Sequence, residues 1–167
     1  MPWPFDTRLD TTSAVRLSEM ERRMRTCRWD STVVGPVESW PQNLKHAVRT
    51  VLDLRMPAYL AWGDEHVQFF NDAFMPILGA KIDGARGGDS RITWSEAWPT
   101  LQPMWDQVRQ GATFADNEFQ IALNRNGFAE SCYFSHSYSP IYSESGAIDG
   151  VFVTCVETTK AVMGERR

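Results

Sequence analysis

Three apolar stretches in the last third of the chain, separated by two glycine-bearing turns, constrain the fold more than any other feature. Phe119-Gln120-Ile121-Ala122-Leu123 alternates, Asn126-Gly127 interrupts it, Ser131 to Ile141 follows, and Glu144 to Ala147 separates that stretch from Gly150 to Val156. A period of two sends successive side chains to opposite faces, and short glycine turns join neighbouring strands antiparallel. A three-stranded antiparallel meander is therefore expected. With Ala58–Trp62 and His66–Phe70, a hairpin about Gly63-Asp64-Glu65, it makes five strands. Helical stretches between and before them complete an α+β domain.

The helical stretches read as follows. From Ser13 to Trp29, Leu17, Met20, Met24 and Cys27 recur in steps of three and four and form one apolar stripe. That stripe fits a helix lying on its own domain or a seam with a second copy. Asp30 to Pro36 reads as a linker. Ser39-Trp40-Pro41-Gln42 has the form of a capping box opening a helix, with Trp40, Leu44, Ala47, Val48, Val51 and Leu52 on its apolar face. Asn71 is expected to cap a short helix that ends at Gly79. Gly84-Ala85-Arg86-Gly87-Gly88 lacks the Lys-Ser/Thr of a phosphate loop and reads as a flexible turn. A longer helix with Leu101, Met104, Trp105 and Val108 on its buried face ends at Gly111, and a last helix begins near Thr158.

The chain has 167 residues, 43% of them hydrophobic and 12% aromatic, which is one domain with a real core rather than a disordered tail. A net charge of −4 with only three Lys excludes a phosphate-binding surface, so no nucleic-acid partner is expected. No apolar run approaches the roughly 20 residues that span a bilayer, and the start has no secretory pattern. Cys27, Cys132 and Cys155 show no paired spacing. A reducing cytoplasm is therefore expected, without a cysteine zinc site or a membrane partner.

The order of elements and several local motifs resemble a PAS domain, the sensory module of bacterial histidine kinases and related signalling proteins. The motifs are Phe69-Phe70-Asn71-Asp72-Ala73-Phe74, Ile77-Leu78-Gly79, Tyr138-Ser139-Pro140-Ile141, and Gly150-Val151-Phe152 leading to Glu157-Thr158-Thr159. The last triplet is similar to the family's D-x-T, with Glu for Asp. Trp29…Gly35-Pro36…Glu38-Ser39-Trp40-Pro41 resembles the lead-in of a PAS subgroup found at the N-termini of sensor kinases. The resemblance covers roughly Trp29 to Arg167. It implies a five-stranded antiparallel PAS sheet with short helices on one face and an N-terminal helical cap. Residues 1–37 are then a flanking segment, 38–160 the sensor domain, and 161–167 the start of a signalling helix.

By the resemblance, the sheet and small helices enclose a ligand cavity. Its wall is expected to include Tyr59, Ala61, Phe134, His136, Tyr138 and Cys155 from strands, and Phe74, Trp94, Trp98 and Trp105 from helices. Counting back from a turn in which Ser143 faces Ile148 sets His136 opposite Cys155 and Cys132 opposite Thr159. His136 and Tyr138 are then polar groups that orient a ligand, or core residues satisfied by neighbours. The His–Cys pair has no third orienting carboxylate, so no enzyme is expected. A light-oxygen-voltage flavin site needs a Cys where Gly84 to Arg91 has none. A haem site needs an axial His that the helix Leu101 to Gln110 lacks, leaving only His66 or His136. No cofactor is expected. The resemblance further implies a small-molecule signal, an effector domain such as a histidine kinase of a two-component system, and a homodimer through Leu17, Met20, Met24 and Cys27. The alternatives are a ligand-free dimerisation and relay module and, behind it, a haem- or flavin-binding PAS sensor.

Overall fold

The meander becomes half of a five-stranded sheet in the order β2-β1-β5-β4-β3, every neighbouring pair antiparallel. The computed structural model describes residues 18–85 and 87–165. Expectations for Leu17, and for everything before it, lie outside the described residues. The strands are β1 (Ala58–Trp62), β2 (Val67–Phe70), β3 (Phe114–Leu123), β4 (Glu130–Tyr142) and β5 (Ile148–Glu157). β3 starts at Phe114 rather than Phe119. Polar Asp116 pairs with His136 through the backbone, and a bulge before Phe119 absorbs Asn117 and Glu118. Backbone pairing is indifferent to side-chain polarity, so alternation alone misses such a stretch.

His136 does face Cys155, but by a different route from the one counted. The turn is one residue tighter, with Ser143 N–H donating to Ala147 O at 2.8 Å. A bulge at Asp149, between the pairs Ile141–Gly150 and Tyr142–Ile148, then restores the register. Cys132 pairs with Ile121 of β3 but with no residue of β5, because pairing of β4 with β5 ends at Phe134–Glu157. The Thr159 hydroxyl instead accepts from the Tyr133 N–H at 3.1 Å.

The register places Tyr59, Ala61, Val153, Cys155, His136 and Tyr138 on one face, and Leu60 and Phe69 on the other. The first face is covered by α3 (Met75–Leu78), α4 (Ile82–Ala85), α5 (Ser90–Thr93) and α6 (Trp98–Val108). The β1–β2 half of the second carries the N-terminal cap, α1 (Glu19–Thr26) and α2 (Gln42–Asp53). There Trp29 stacks on Phe69 at 5.1 Å and Trp40 meets it edge-on at 5.6 Å.

Packing moves the start of α2. Trp40 is buried, donates from Nε1 to Gly35 O at 3.0 Å, and keeps an extended backbone. Ser39 therefore cannot open a helix. Its hydroxyl donates to Pro36 O at 2.7 Å, and the helix begins at Gln42 without a side-chain cap.

The α1 stripe is also resolved, against the seam. Met20 and Met24 are completely buried in the core cluster that contains the sheet, and Cys27 packs half-buried against it. The helix is fixed by Ser18 Oγ accepting from Glu21 N–H at 3.0 Å and by Asp72 accepting from Glu19 and Met20 N–H at 3.1 and 2.7 Å. Buried Glu21 pairs with Arg49 at 2.6 Å. Met20 and Met24 are thus not available to a second copy.

The glycine-rich stretch is not a loose turn. Its first residues form α4, and Gly87 N–H and Gly88 O bond Gln68 on the free edge of β2 at 3.2 and 3.0 Å. Gly87 has φ +68°, and a Cβ there would come within 3.0 Å of the Trp29 ring. Glycine is required by both the backbone sign and the contact.

Candidate functional site

A cavity of about 60 Å³ lies between the first sheet face and α6. Of the expected wall, Tyr59, Phe134, His136, Tyr138 and Cys155 line it from strands, and Phe74, Trp94 and Trp105 from the helical side. Two expected residues do not. Ala61 is buried between Gln68 and Val151, one ladder step beyond the Tyr59–Val153–Tyr138 level at which the cavity ends. Trp98 packs against Trp105 at 5.0 Å and His66 at 5.4 Å, outside the wall. Ile77, Leu101, Phe119, Ile121, Leu123 and Val153 complete the lining. Alternation flagged three of these in β3, and the Val151-Phe152-Val153 alternation beside Cys155 would have flagged Val153.

The β2 end of the wall is closed by a polar knot. The Tyr59 hydroxyl bonds Gln68 Oε1 and lies 2.6 Å from Ser90 Oγ, while Trp94 Nε1 donates to it at 3.2 Å. Gln68, fully buried, donates to Ala85 O and Thr93 Oγ1, both at 2.6 Å. Ser90 Oγ donates to His66 O at 2.8 Å. Each of these buried polar groups has partners, as burial demands.

The β4 end is built from rings. His136 lies between Phe119 and Tyr138, with centroids 4.5 and 4.7 Å away. Burial pushes the Tyr138 and Tyr59 hydroxyls well above the usual phenol range. It pushes the Cys155 thiol up to about 12, with Glu157 adding to the rise. It lowers His136, against the pull of Asp116. The wall is therefore neutral at pH 7, and Cys155 is a thiol facing an uncharged imidazole rather than an activated nucleophile.

Neither cofactor of the wider family fits these residues. Ligand pockets run from about 300 Å³ upward, and this one measures about 60 Å³. A flavin ring system would displace several of Tyr59, Phe74, Trp94, Trp105 and Phe134. The only cavity cysteine is Cys155, on a strand. His66 sits behind Trp105 and outside the lining, and His136 is held between two rings. Among the described residues, no group of three or more His, Cys, Asp or Glu is placed to hold a metal ion.

A second polar cluster ties the cavity helices to the exit helix α7 (Thr159–Glu165). Arg125 grips both carboxylate oxygens of Glu157 at 2.8 and 2.9 Å and pairs with Glu130 at 2.8 Å. It also reaches Pro76 O in α3 at 3.4 Å, and its own carbonyl accepts from Ala80 N–H at 2.7 Å. Thr159 Oγ1 donates to Glu157 Oε2 at 2.8 Å. Arg125 holds the Glu157 carboxyl below the ordinary carboxylate range, with burial opposing and Thr159 assisting. The Glu157-Thr158-Thr159 triplet is thus the fastening of the exit helix. Arg125 carried no signal in the sequence, because Glu157 and Pro76, which give it its role, lie 32 and 49 positions away.

Solved structures share this fold. An RNA-binding light-oxygen-voltage receptor matches with TM-score 0.53 and 16% identity over 73% of this chain and 35% of that one. The light-oxygen-voltage protein of Rhodobacter sphaeroides matches with TM-score 0.53 and 13% identity over 72% and 73%. A phage VqmA–DPO complex matches with TM-score 0.52 and 13% identity over 74% and 56%. The chain thus spans about a third of the RNA-binding receptor. No protein-family model matches the sequence, and no curated protein matches it. Sheet order, helical cover and these likenesses define the fold as that of a PAS domain. Among the described residues, no helix is long and apolar enough to cross a membrane.

Proposed function

We propose that this chain is a sensory domain. It admits a small apolar or amphipathic molecule to the cavity beneath α6 and passes the resulting change to its flanking helices. The observation that carries this reading is the path from cavity to exit. α3 contributes Ile77 to the wall, and Arg125 bonds α3 on one side and Glu157, at the foot of α7, on the other. The neutral Cys155 and His136 favour binding over catalysis. In this reading the domain is cytoplasmic and engages neither nucleic acid nor membrane. Its output goes to an effector in the same or a partner chain, a histidine kinase being the one the resemblance implies. A homodimer remains part of the reading. With α1 turned inward, it is supported by the outer sheet surface beside the cap, where Ser135, Ser137, Thr154 and Val156 carry no charge.

Hydrogen exchange tests the path. Arg125→Gln should raise amide exchange across 158–165 at least tenfold while the sheet amides keep their protection. Unchanged exchange in α7 would sink the role given to Arg125. The ligand-free relay is the second reading, favoured by the small cavity volume. A clean mass for the natively purified chain, with no response to small probes, supports it; a co-purifying molecule supports the sensor.

A further inference from the structure

One buried donor in the cavity wall has no acceptor. Trp105 is 2% exposed and lines the cavity from α6, and among the described residues its indole N–H has no partner in hydrogen-bond geometry. The Tyr138 hydroxyl feels this N–H, which draws its pKa down against the larger effect of burial. The two rings nonetheless stand edge to face with centroids 6.5 Å apart, and no bond closes between them. An unpaired buried N–H is disfavoured, and where one persists in a cavity wall its position favours a guest that accepts from it.

The charge of that guest follows from its surroundings. Among the described residues, no Asp, Glu, Lys or Arg lines the cavity, and Asp116, opposite His136 on β3, stands outside the lining. Burial keeps Tyr138 and Cys155 protonated and His136 neutral. An anion or cation would enter without a counter-charge, which low-dielectric surroundings penalise heavily.

We infer that the cavity selects a small uncharged molecule bearing one hydrogen-bond acceptor, a carbonyl or hydroxyl oxygen, seated at Trp105 Nε1 beside the Tyr138 hydroxyl. Its apolar part lies against Phe119, Ile121 and Leu123. This rests on the sensory reading and narrows it to one ligand chemistry. At about 60 Å³, far below the roughly 300 Å³ of ordinary ligand pockets, the cavity takes only a guest of a few heavy atoms unless α6 moves outward.

The test uses the full chain labelled with ¹⁵N at its tryptophans and five probes: acetone, ethanol, xenon, acetate and methylammonium. The Trp105 indole signal is the one missing from Trp105→Phe, or is assigned through backbone connectivity should that variant not fold. Acetone and ethanol are expected to shift this N–H proton downfield in a saturable way. Xenon should perturb cavity methyl signals without that shift, and the two ions should do neither. Trp105→Phe should weaken acetone binding about tenfold, the worth of one ordinary hydrogen bond, and leave xenon binding within about twofold. If acetone binds with no downfield shift, or either ion binds more tightly than acetone, the inference is overturned and the sensory reading stands. If none of the five perturbs any cavity signal, the sensory reading fails with it.

Discussion

Two tyrosines face two tryptophans in one cavity wall, and only one pair is bonded. Tyr59 receives the Trp94 N–H at 3.2 Å and is further held by Gln68 and Ser90. Tyr138 and Trp105 stand at a similar centroid separation, 6.5 Å against 6.2 Å for the first pair, without a hydrogen bond. Ring contact is alike at the two ends and polar satisfaction is not. The β2 end is therefore where buried polarity fastens the helices to the sheet, and the β4 end leaves the Trp105 N–H without an acceptor among the described residues.

Gln68→Ala strikes the fastened end hardest. It takes a partner from the Tyr59 hydroxyl, Ala85 O and the Thr93 hydroxyl and opens a hole, so it should lower unfolding free energy in urea by about 3–5 kcal/mol. A loss below about 1 kcal/mol would show that the knot holds nothing together. Tyr59→Phe removes one member of the same knot and should cost about 1–2 kcal/mol in the same assay.

Acidity reaches both ends, since burial lowers His66 at the β1–β2 turn and His136 in the wall, Arg109 and Arg91 adding to the effect at His66. Both groups bind protons more weakly folded than unfolded. Their stabilisation is present above the unfolded value of about 6.5 and is lost as pH falls from there toward the folded values. Thermal midpoints should therefore drop as pH falls below about 6.5. His136→Phe should make that fall shallower, and an unchanged slope would place the titration elsewhere.

The smallest effect sharpens the comparison most. Tyr138→Phe deletes a hydroxyl that makes no bond to Trp105, so stability should change by no more than about 0.5 kcal/mol. A loss matching that of Tyr59→Phe would mean that the two ends are fastened alike.

Much of the frame was legible in residues. Alternation and turn glycines located all five strands to within a few positions, and Asn71 caps the turn into α3 as expected, accepting from Phe74 N–H at 3.1 Å. Eight of the ten residues assigned to the wall line it, because facing is dictated by alternation once a register is known. Ala61 and Trp98 failed for a three-dimensional reason: each has the right local pattern, but the cavity ends one ladder step short of the first and one ring short of the second.

The chain by itself determined what short-range rules can encode: periods of two and 3.6, glycine where φ must be positive, and an uncharged inner face. Tertiary structure decided where those faces go. Trp40, drawn into contact with Phe69, overrode a capping box, and Asp72, held beside α3, turned the Met20–Met24 stripe inward. The unpaired Trp105 N–H and the cavity volume follow from packing among residues of α6, β3, β4 and β5. Such quantities are small differences between summed side-chain volumes and bond geometries, and no local pattern carries them.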